Sequence, residues 1–209
     1  CFFKQKTAYE GTGRDWSSDV CSSDLDCRYH LDRWQGIPTE GFSRMFEAML
    51  EGIPVHLRCE MEAWRNISAD HLVFTGSIDD YFGRQQGVLE YRSLDFEYSL
   101  ETKRKHFQIN ECNADHPWTR AVDHSHWLNQ QVELTGIGRE FPCEWDGTNT
   151  RYYPKPFGGN PERFQRYWKA AKSLRNVTFV GRLATYKYLD MHDVVAQVMA
   201  KLGARSLVW

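Results

Sequence analysis

Apolar and polar positions change their period several times along the chain, and each change marks a predicted element. From Thr39 to Glu51, Phe42, Met45, Phe46, Met49 and Leu50 recur at helical spacing, with Thr39 placed to cap the helix and Gly52 just past its end. Period two then takes over. Val55, Leu57 and Cys59 face one way in a short predicted strand, and His71 to Thr75 reads as a buried strand ending at Gly76. Leu94, Phe96, Tyr98 and Leu100 alternate in another, Phe107 and Ile109 mark a strand ending near Asn110, and Val132 to Ile137 reads as one more. Residues 146–161, rich in Gly, Pro, Asn and Thr, read as loop. A second helix follows, with Asn160 as cap, Pro161 at its first position, and Phe164, Tyr167, Trp168, Ala171 and Leu174 on its buried face. Val177 to Val180 is a short buried strand running into Gly181, and a last helix from Asp190 is expected to bury Val194, Val195, Val198, Met199 and Leu202. Clustered antiparallel strands followed by a helix-strand-helix tail predict a mixed α/β (α+β) fold.

The first 25 residues follow neither period. KQKTAYE (Lys4 to Glu10) and DWSSDVCSSDL (Asp15 to Leu25), separated by the spacer Gly11 to Arg14, resemble the translation of a sequencing-library adapter. Residues 1–25 are therefore expected to be a non-native, disordered leader, with functional sequence from about Asp26 onward. Setting them aside leaves 23 basic and 24 acidic residues of the 26 and 28 in the whole chain. That balance points to neither nucleic acid nor a membrane surface. No apolar run approaches the length of a membrane span.

Cys27, Cys59, Cys112 and Cys143 are widely spaced and form no C-x-x-C pair. They fit neither a disulfide framework nor a zinc site, and point to a reducing, cytoplasmic location. The Asn-x-Ser/Thr triplets at Asn66 and Asn176 then carry no sugar. Tyr29, Trp34, Tyr81, Trp118, Tyr152, Tyr153, Tyr186 and Tyr188 all stand beside polar groups. Such aromatics serve core packing, or a site for a sugar or a diphosphate.

Several motifs are excluded. Gly11-Thr12-Gly13 lies in the leader and Gly136-Ile137-Gly138 inside a strand-like run, so neither forms the strand, Gly-rich turn and helix that hold a dinucleotide. His124 and His126, two apart with no third ligand, read as solvent-exposed rather than as a metal site. GRLATYKYLDM (Gly181 to Met191) is different, because it couples a strand end to a helix start. Gly181 allows close backbone approach, Arg182 offers a planar donor fork, and Asp190 with the first helical amides forms a polar helix end. Tyr186 and Tyr188 are expected to alternate outward.

GRLATYKYLDM resembles the C-terminal signature of the UDP-galactopyranose mutase family. So do QGIPTEGFSRMFEAML (Gln35 to Leu50), VFTGSIDDYFGRQQGVLEYRSLDFE (Val73 to Glu97), HPWTRAVDHSHW (His116 to Trp127), REFPCEW (Arg139 to Trp145) and RYYPKP (Arg151 to Pro156), in family order. The resemblance implies substrate contacts at Tyr29, Asn110, Arg120, Glu140, Tyr153 and Tyr188, with Arg120 gripping a diphosphate that Tyr153 and Tyr188 hydrogen-bond. Arg28 and His30 depart from the family block around Tyr29, and Trp118 stands where the family usually has tyrosine. Gly181, Arg182, Leu183, Tyr188, Asp190 and Met191 are implied as flavin contacts, with Arg120 and Asp190 the catalytic residues. The implied reaction interconverts UDP-galactopyranose and UDP-galactofuranose through a flavin N5-sugar adduct. It needs reduced FAD, a UDP-galactose substrate and no metal, and is carried out by a cytoplasmic flavoprotein of galactofuranose biosynthesis that forms a homodimer when full length.

The family's Gly-rich FAD turn is not in this sequence. The chain is therefore expected to be the C-terminal portion of such an enzyme (residues 26–209), inactive alone. It would comprise an antiparallel substrate-domain sheet, then the strand and helix of an incomplete Rossmann-like FAD domain at residues 177–205. Two other readings stand beside it: an amine-oxidase-like FAD oxidoreductase, and a non-catalytic sugar-nucleotide-binding module.

Overall fold

A computed structural model of the chain describes residues 36–59, 63–113, 115–127 and 130–203. The expected leader and Tyr29 lie outside these residues. In chain order the elements are α1 (Gly41–Met49), β1 (Leu72–Phe74), α2 (Ile78–Tyr81), β2 (Tyr91–Thr102), β3 (Gln108–Asn110), β4 (Arg120–Asp123) and β5 (Leu134–Glu144). They continue with β6 (Tyr153–Pro154), α3 (Asn160–Ala171), β7 (Val177–Phe179), α4 (Gly181–Ala184) and α5 (Met191–Leu202). The fold is mixed α and β, as the periodicity predicts. The described residues form two compact units, one of residues 36–58 with 96–141 and one of residues 59–95 with 142–203, so that β2 and β5 contribute to both.

In the first unit the strands run in the order β3, β4, β5, β2. The antiparallel register pairs Asn110 with Arg120, Arg120 with Glu140, and Val122 with Gly138. Residues directly opposite one another share a sheet face. Odd-numbered residues therefore take the other face, where Ala121 and Ile137 are buried. Arg139 on that face donates to Ser99 at 2.8 Å and pairs with Glu101 at 2.6 Å. Bonds from Arg139, Ser99 and Arg104 hold the Glu101 carboxyl down at about 2. Asp123 is fully buried and accepts from the backbone of Arg104 and Ser125 and from the Ser125 and Thr135 hydroxyls. Burial alone would raise its pKa, but these donors outweigh it and bring it to about 2. α1 meets the unit through Phe42, edge-on to Trp127, which is in turn edge-on to Phe107.

The second unit has the larger apolar core: Phe74, Ile78, Leu89, Tyr91, Tyr167, Ala171, Phe179, Ala184 and Tyr186. Parallel pairing of β1 with β7 places Phe74 opposite Phe179, and their rings meet edge to face at 5.8 Å. α3 lays its predicted face into this core, with Tyr167 and Ala171 buried and Phe164, Trp168 and Leu174 packed at the margin. The Tyr167 hydroxyl donates to Gly87 O at 2.7 Å and accepts from Gln86 N at 2.9 Å, so the buried phenol costs little.

Five local expectations are corrected. Glu40, not Thr39, holds the cap position of α1, and its side chain makes no capping bond. No strand forms at 55–59; Val55 and Leu57 are exposed, because Pro54 removes a donor and Arg58 turns left-handed at φ 55°. Gly159, not Asn160, caps α3; Asn160 is buried, accepting from Glu90 N and donating to Phe157 O. Tyr186 does not point outward. It is buried, because a left-handed turn at its own φ of 47° drives the ring into the core, where its hydroxyl donates to Glu90 O at 2.6 Å. α5 buries less than expected: Val195 and Met199 are 58% and 68% exposed. The helix meets its unit along Val194, Gln197, Val198 and Lys201, where Gln197 accepts from Gly181 N and Lys201 donates to Phe179 O. Positions 195 and 199 lie about 100° further round.

Candidate functional site

One constellation lies on the even-numbered face of the first unit. β3, β4 and β5 bring Asn110, Arg120 and Glu140 into one row across three strands. Arg120 Nε donates to Asn110 Oδ1 at 3.4 Å and Nη1 to Glu140 Oε1 at 3.3 Å. Both contacts are longer than the usual 2.7–3.2 Å range. Arg120 and Glu140 side chains retain 24% and 16% of their exposure. The guanidinium is thus held in orientation by long bonds that an incoming phosphate oxygen could displace or share. Two residues before Arg120, Trp118 is half-buried with its ring 5.6 Å from that of His116. The indole has no hydroxyl to offer.

The second constellation lies in the second unit. Tyr153 and Tyr188 stack at 5.8 Å with planes 16° apart. Arg182 lies over both rings, 4.5 Å from the centre of Tyr188 and 5.6 Å from that of Tyr153. Its fork donates to backbone: Nε and Nη2 to Leu189 O at 3.2 and 2.8 Å, and Nη1 to Tyr152 O at 3.0 Å. Arg182 therefore ties the Tyr152 and Leu189 backbones together beneath the tyrosine pair, and three of its five N–H groups are spent in doing so. Burial, then the charge and hydrogen bond of Asp190, raise the Tyr188 phenol to about 12, partly offset by Arg182. At neutral pH it is a protonated donor. Asp190 stands at the start of α5, its N–H donating to Asp193 Oδ2 at 3.1 Å.

Gly181 adopts φ 86°, a conformation open to glycine and strained for other residues. A Cβ placed there would meet nothing within 4 Å, although the Gly181 N–H is already taken by Gln197 at 2.7 Å. Met191 is 68% exposed, and Leu183 packs against the core.

The UDP-galactopyranose mutase family matches residues 20–188. The chain belongs to that family. The match begins within the stretch read from sequence as leader. Similar proteins include a dTDP-fucopyranose mutase of Escherichia coli, 30% identical over 83% of this chain and 49% of the relative. A probable UDP-galactopyranose mutase of Klebsiella pneumoniae is 32% identical over 83% and 47%. A UDP-galactopyranose mutase of Mycoplasma pneumoniae is 31% identical over 80% and 47%. The chain spans about half the length of the curated relatives it matches.

Of the residues singled out by sequence, Asn110, Arg120 and Glu140 meet in one row, and Tyr153, Tyr188, Arg182 and Asp190 gather in the other cluster. Tyr29 lies outside the described residues. His124 is exposed on a short 3-10 turn, whereas His126 is half-buried and its Nε2 lies 2.9 Å from Arg104 O. No group of three or more potential metal ligands occurs among the described residues. No helix among them is long and apolar enough to cross a membrane.

Sequence reasoning missed Arg92. It is exposed on β2 directly opposite Tyr153, which puts a cation on the face of the tyrosine pair. Only strand register reveals this, since 61 positions separate the two in sequence.

Proposed function

We propose that this chain carries the diphosphate-holding and flavin-facing elements of a nucleotide-sugar mutase that interconverts UDP-galactopyranose and UDP-galactofuranose. The observation that carries the reading is the Asn110–Arg120–Glu140 row in a member of this family. The bonds to one amide and one carboxylate across the row keep a planar fork aimed, and such a fork can bond two phosphate oxygens at once. Arg120 would hold the departing diphosphate for its return, and within the second unit Tyr153 and Tyr188 offer phenol donors that bind an anion without trapping it. Retaining the leaving group in place is proximity catalysis. Family membership supports this reading over an amine-oxidase-like oxidoreductase, which needs no diphosphate clamp, and over a binding module without catalysis.

A flavin fits the second cluster. Gly181 leaves open space where a side chain would stand, and the protonated Tyr188 phenol and the Asp190 end of α5 offer polar contacts around it. Gly181, Arg182, Tyr188, Asp190 and Met191 would hold FAD there, and Leu183 would support them from the core. Bound there in its reduced form, FAD would supply nucleophilic chemistry toward the sugar. Arg182 fixes the backbone that carries Tyr188, and Asp190 orients the phenol. A cytoplasmic location, a role in galactofuranose supply and homodimer formation of the longer enzyme belong to the same proposal.

Titration of the chain with UDP, dTDP and UMP tests it. The reading expects UDP to bind and UMP to bind at least about tenfold more weakly, since charge-assisted bonds to the second phosphate contribute roughly 1.5–3 kcal/mol each. Equal affinity for UDP and UMP would remove the diphosphate clamp, and a preference for dTDP would move the substrate class toward the fucopyranose relative.

A further inference from the structure

The two-residue strand β6 carries Tyr153 but is weakly built as a strand. Pro154 has no N–H to give, so the backbone bonds around it come from Tyr152 N to Arg92 O at 3.1 Å and Lys155 N to Glu90 O at 3.2 Å. Just before it, Ser93 Oγ donates to Thr150 O at 2.5 Å. Between these anchors the Arg151 side chain turns inward and is only 10% exposed. Its fork bonds both oxygens of Asp80, Nη1 to Oδ2 and Nη2 to Oδ1. Its plane lies 4.1 Å over the Trp145 ring and 5.2 Å over that of Tyr91. Arg84 Nε also donates to Asp80 Oδ1 at 2.8 Å, and Asp79 Oδ1 lies 4.0 Å from Arg151 Nη1.

We propose that Arg151 is a positioning residue that sets where Tyr153 stands, through its clamp between the Asp80 carboxylate and the Trp145 ring. The clamp needs arginine in particular. A guanidinium can bond a carboxylate with its edge and cover an aromatic ring with its face at once, which an ammonium cannot. A two-residue strand that ends in a proline leaves part of its register to side chains, and Arg151 acts there beside the Arg182 bond to Tyr152 O. Tyr153 is two residues along, and any shift of it is passed to Tyr188 by their stacking. The consequence for ligand binding rests on the role proposed above for Tyr153; the placement of its ring does not.

The test uses the whole chain with isotope-labelled tyrosine and methyl groups. Arg151→Met, Arg151→Lys, and the paired variant Asp80→Asn with Arg151→Met are compared by nuclear magnetic resonance and by UDP titration. The paired variant leaves no lone charge at Asp80 and keeps the unit folded if Arg151→Met alone does not. The expected result is loss of the Tyr153–Tyr188 ring contact in Arg151→Met and in the paired variant. Methyl signals of Ile78 and Leu89 stay in place, and Arg151→Lys recovers the contact only in part. UDP affinity should fall roughly tenfold with it, as expected for a displaced binding group. If the ring contact responds although the parent chain binds no UDP, the positioning role stands and the binding reading fails. An unchanged Tyr153–Tyr188 contact in a folded Arg151→Met or paired variant overturns the proposal.

Discussion

The Arg182 guanidinium lies 4.5 Å over the Tyr188 ring while its donors reach the Leu189 and Tyr152 carbonyls. One side chain thus closes the GRLATYKYLDM segment on itself and ties it to the segment that carries Tyr153. The signature owes its shape to this closure as much as to any ligand contact, since the arginine is used structurally before a ligand arrives.

Replacing Arg182 by lysine should therefore cost stability as well as function. Lysine keeps the charge but cannot serve two carbonyls and stack on two rings together. A loss of about 2 kcal/mol is expected from the forfeited bonds and ring contact. Urea denaturation of Arg182→Lys against the parent chain measures it. Equal stability would mean that the fork is idle in the folded chain.

The adjacent carboxyls Asp79 and Asp80 should respond to pH with opposite sign. Burial dominates at Asp79 and raises its pKa from 3.8. Burial also opposes ionisation at Asp80, but the bonds from Arg151 and Arg84 outweigh it and lower that pKa. A raised folded pKa means that stability is lost as pH climbs from 3.8 through the folded value, so Asp79→Asn should gain on the parent chain over that window and above. Asp80 contributes above 3.8 and loses its contribution as pH falls below, so Asp80→Asn should be less stable at neutral pH by about 3 kcal/mol. That deficit should shrink in acid. Denaturation midpoints of both variants from pH 3 to 8 would decide, and a common sign for the two substitutions would refute the assignment.

Asp123 offers a cleaner case, because it is fully buried and its four donors are all in place. Its pKa falls from 3.8 to about 2, so its contribution is complete above 3.8 and disappears as pH drops through about 2. A shift of this size corresponds to about 2 kcal/mol. Asp123→Asn should show that deficit at pH 6 and almost none near pH 2, read from thermal or urea unfolding. A deficit independent of pH would assign the loss to packing of the amide instead.

Much of the fold was legible because its signals are local. The α3 face from Phe164 to Leu174, the existence of β2 and the short strands before Asn110 and Gly181 each follow from spacing alone, although the alternating Phe96, Tyr98 and Leu100 of β2 are exposed. Misreadings arose where a neighbour distant in sequence decided the outcome. Val55 and Leu57 alternate as a strand would, yet the chain turns left-handed at Arg58 and forms no strand there. Val195 and Met199 have helical spacing, yet α5 docks through Gln197 and Lys201, whose polar heads find backbone partners that composition cannot reveal. Tyr186 was expected outside because Tyr188 lies two residues on, but the left-handed turn at Tyr186 breaks the alternation. For the site, the ten-residue spacing of Asn110 and Arg120 was readable, and a hairpin register makes them opposite one another. Arg92 and the Asp80–Arg151 clamp were not readable, since each joins positions more than sixty residues apart in sequence.

The central claim is that Arg120 is the anchor for a nucleotide diphosphate. Calorimetric titration of UDP into the parent chain, Arg120→Ala and Arg120→Lys tests it most directly. A charge-assisted arginine–phosphate fork contributes roughly 1.5–3 kcal/mol per bond, so Arg120→Ala should bind UDP more than about tenfold more weakly. Arg120→Lys should recover only part of the loss, because the charge returns without the fork. UDP affinity in Arg120→Ala equal to that of the parent chain would contradict the account.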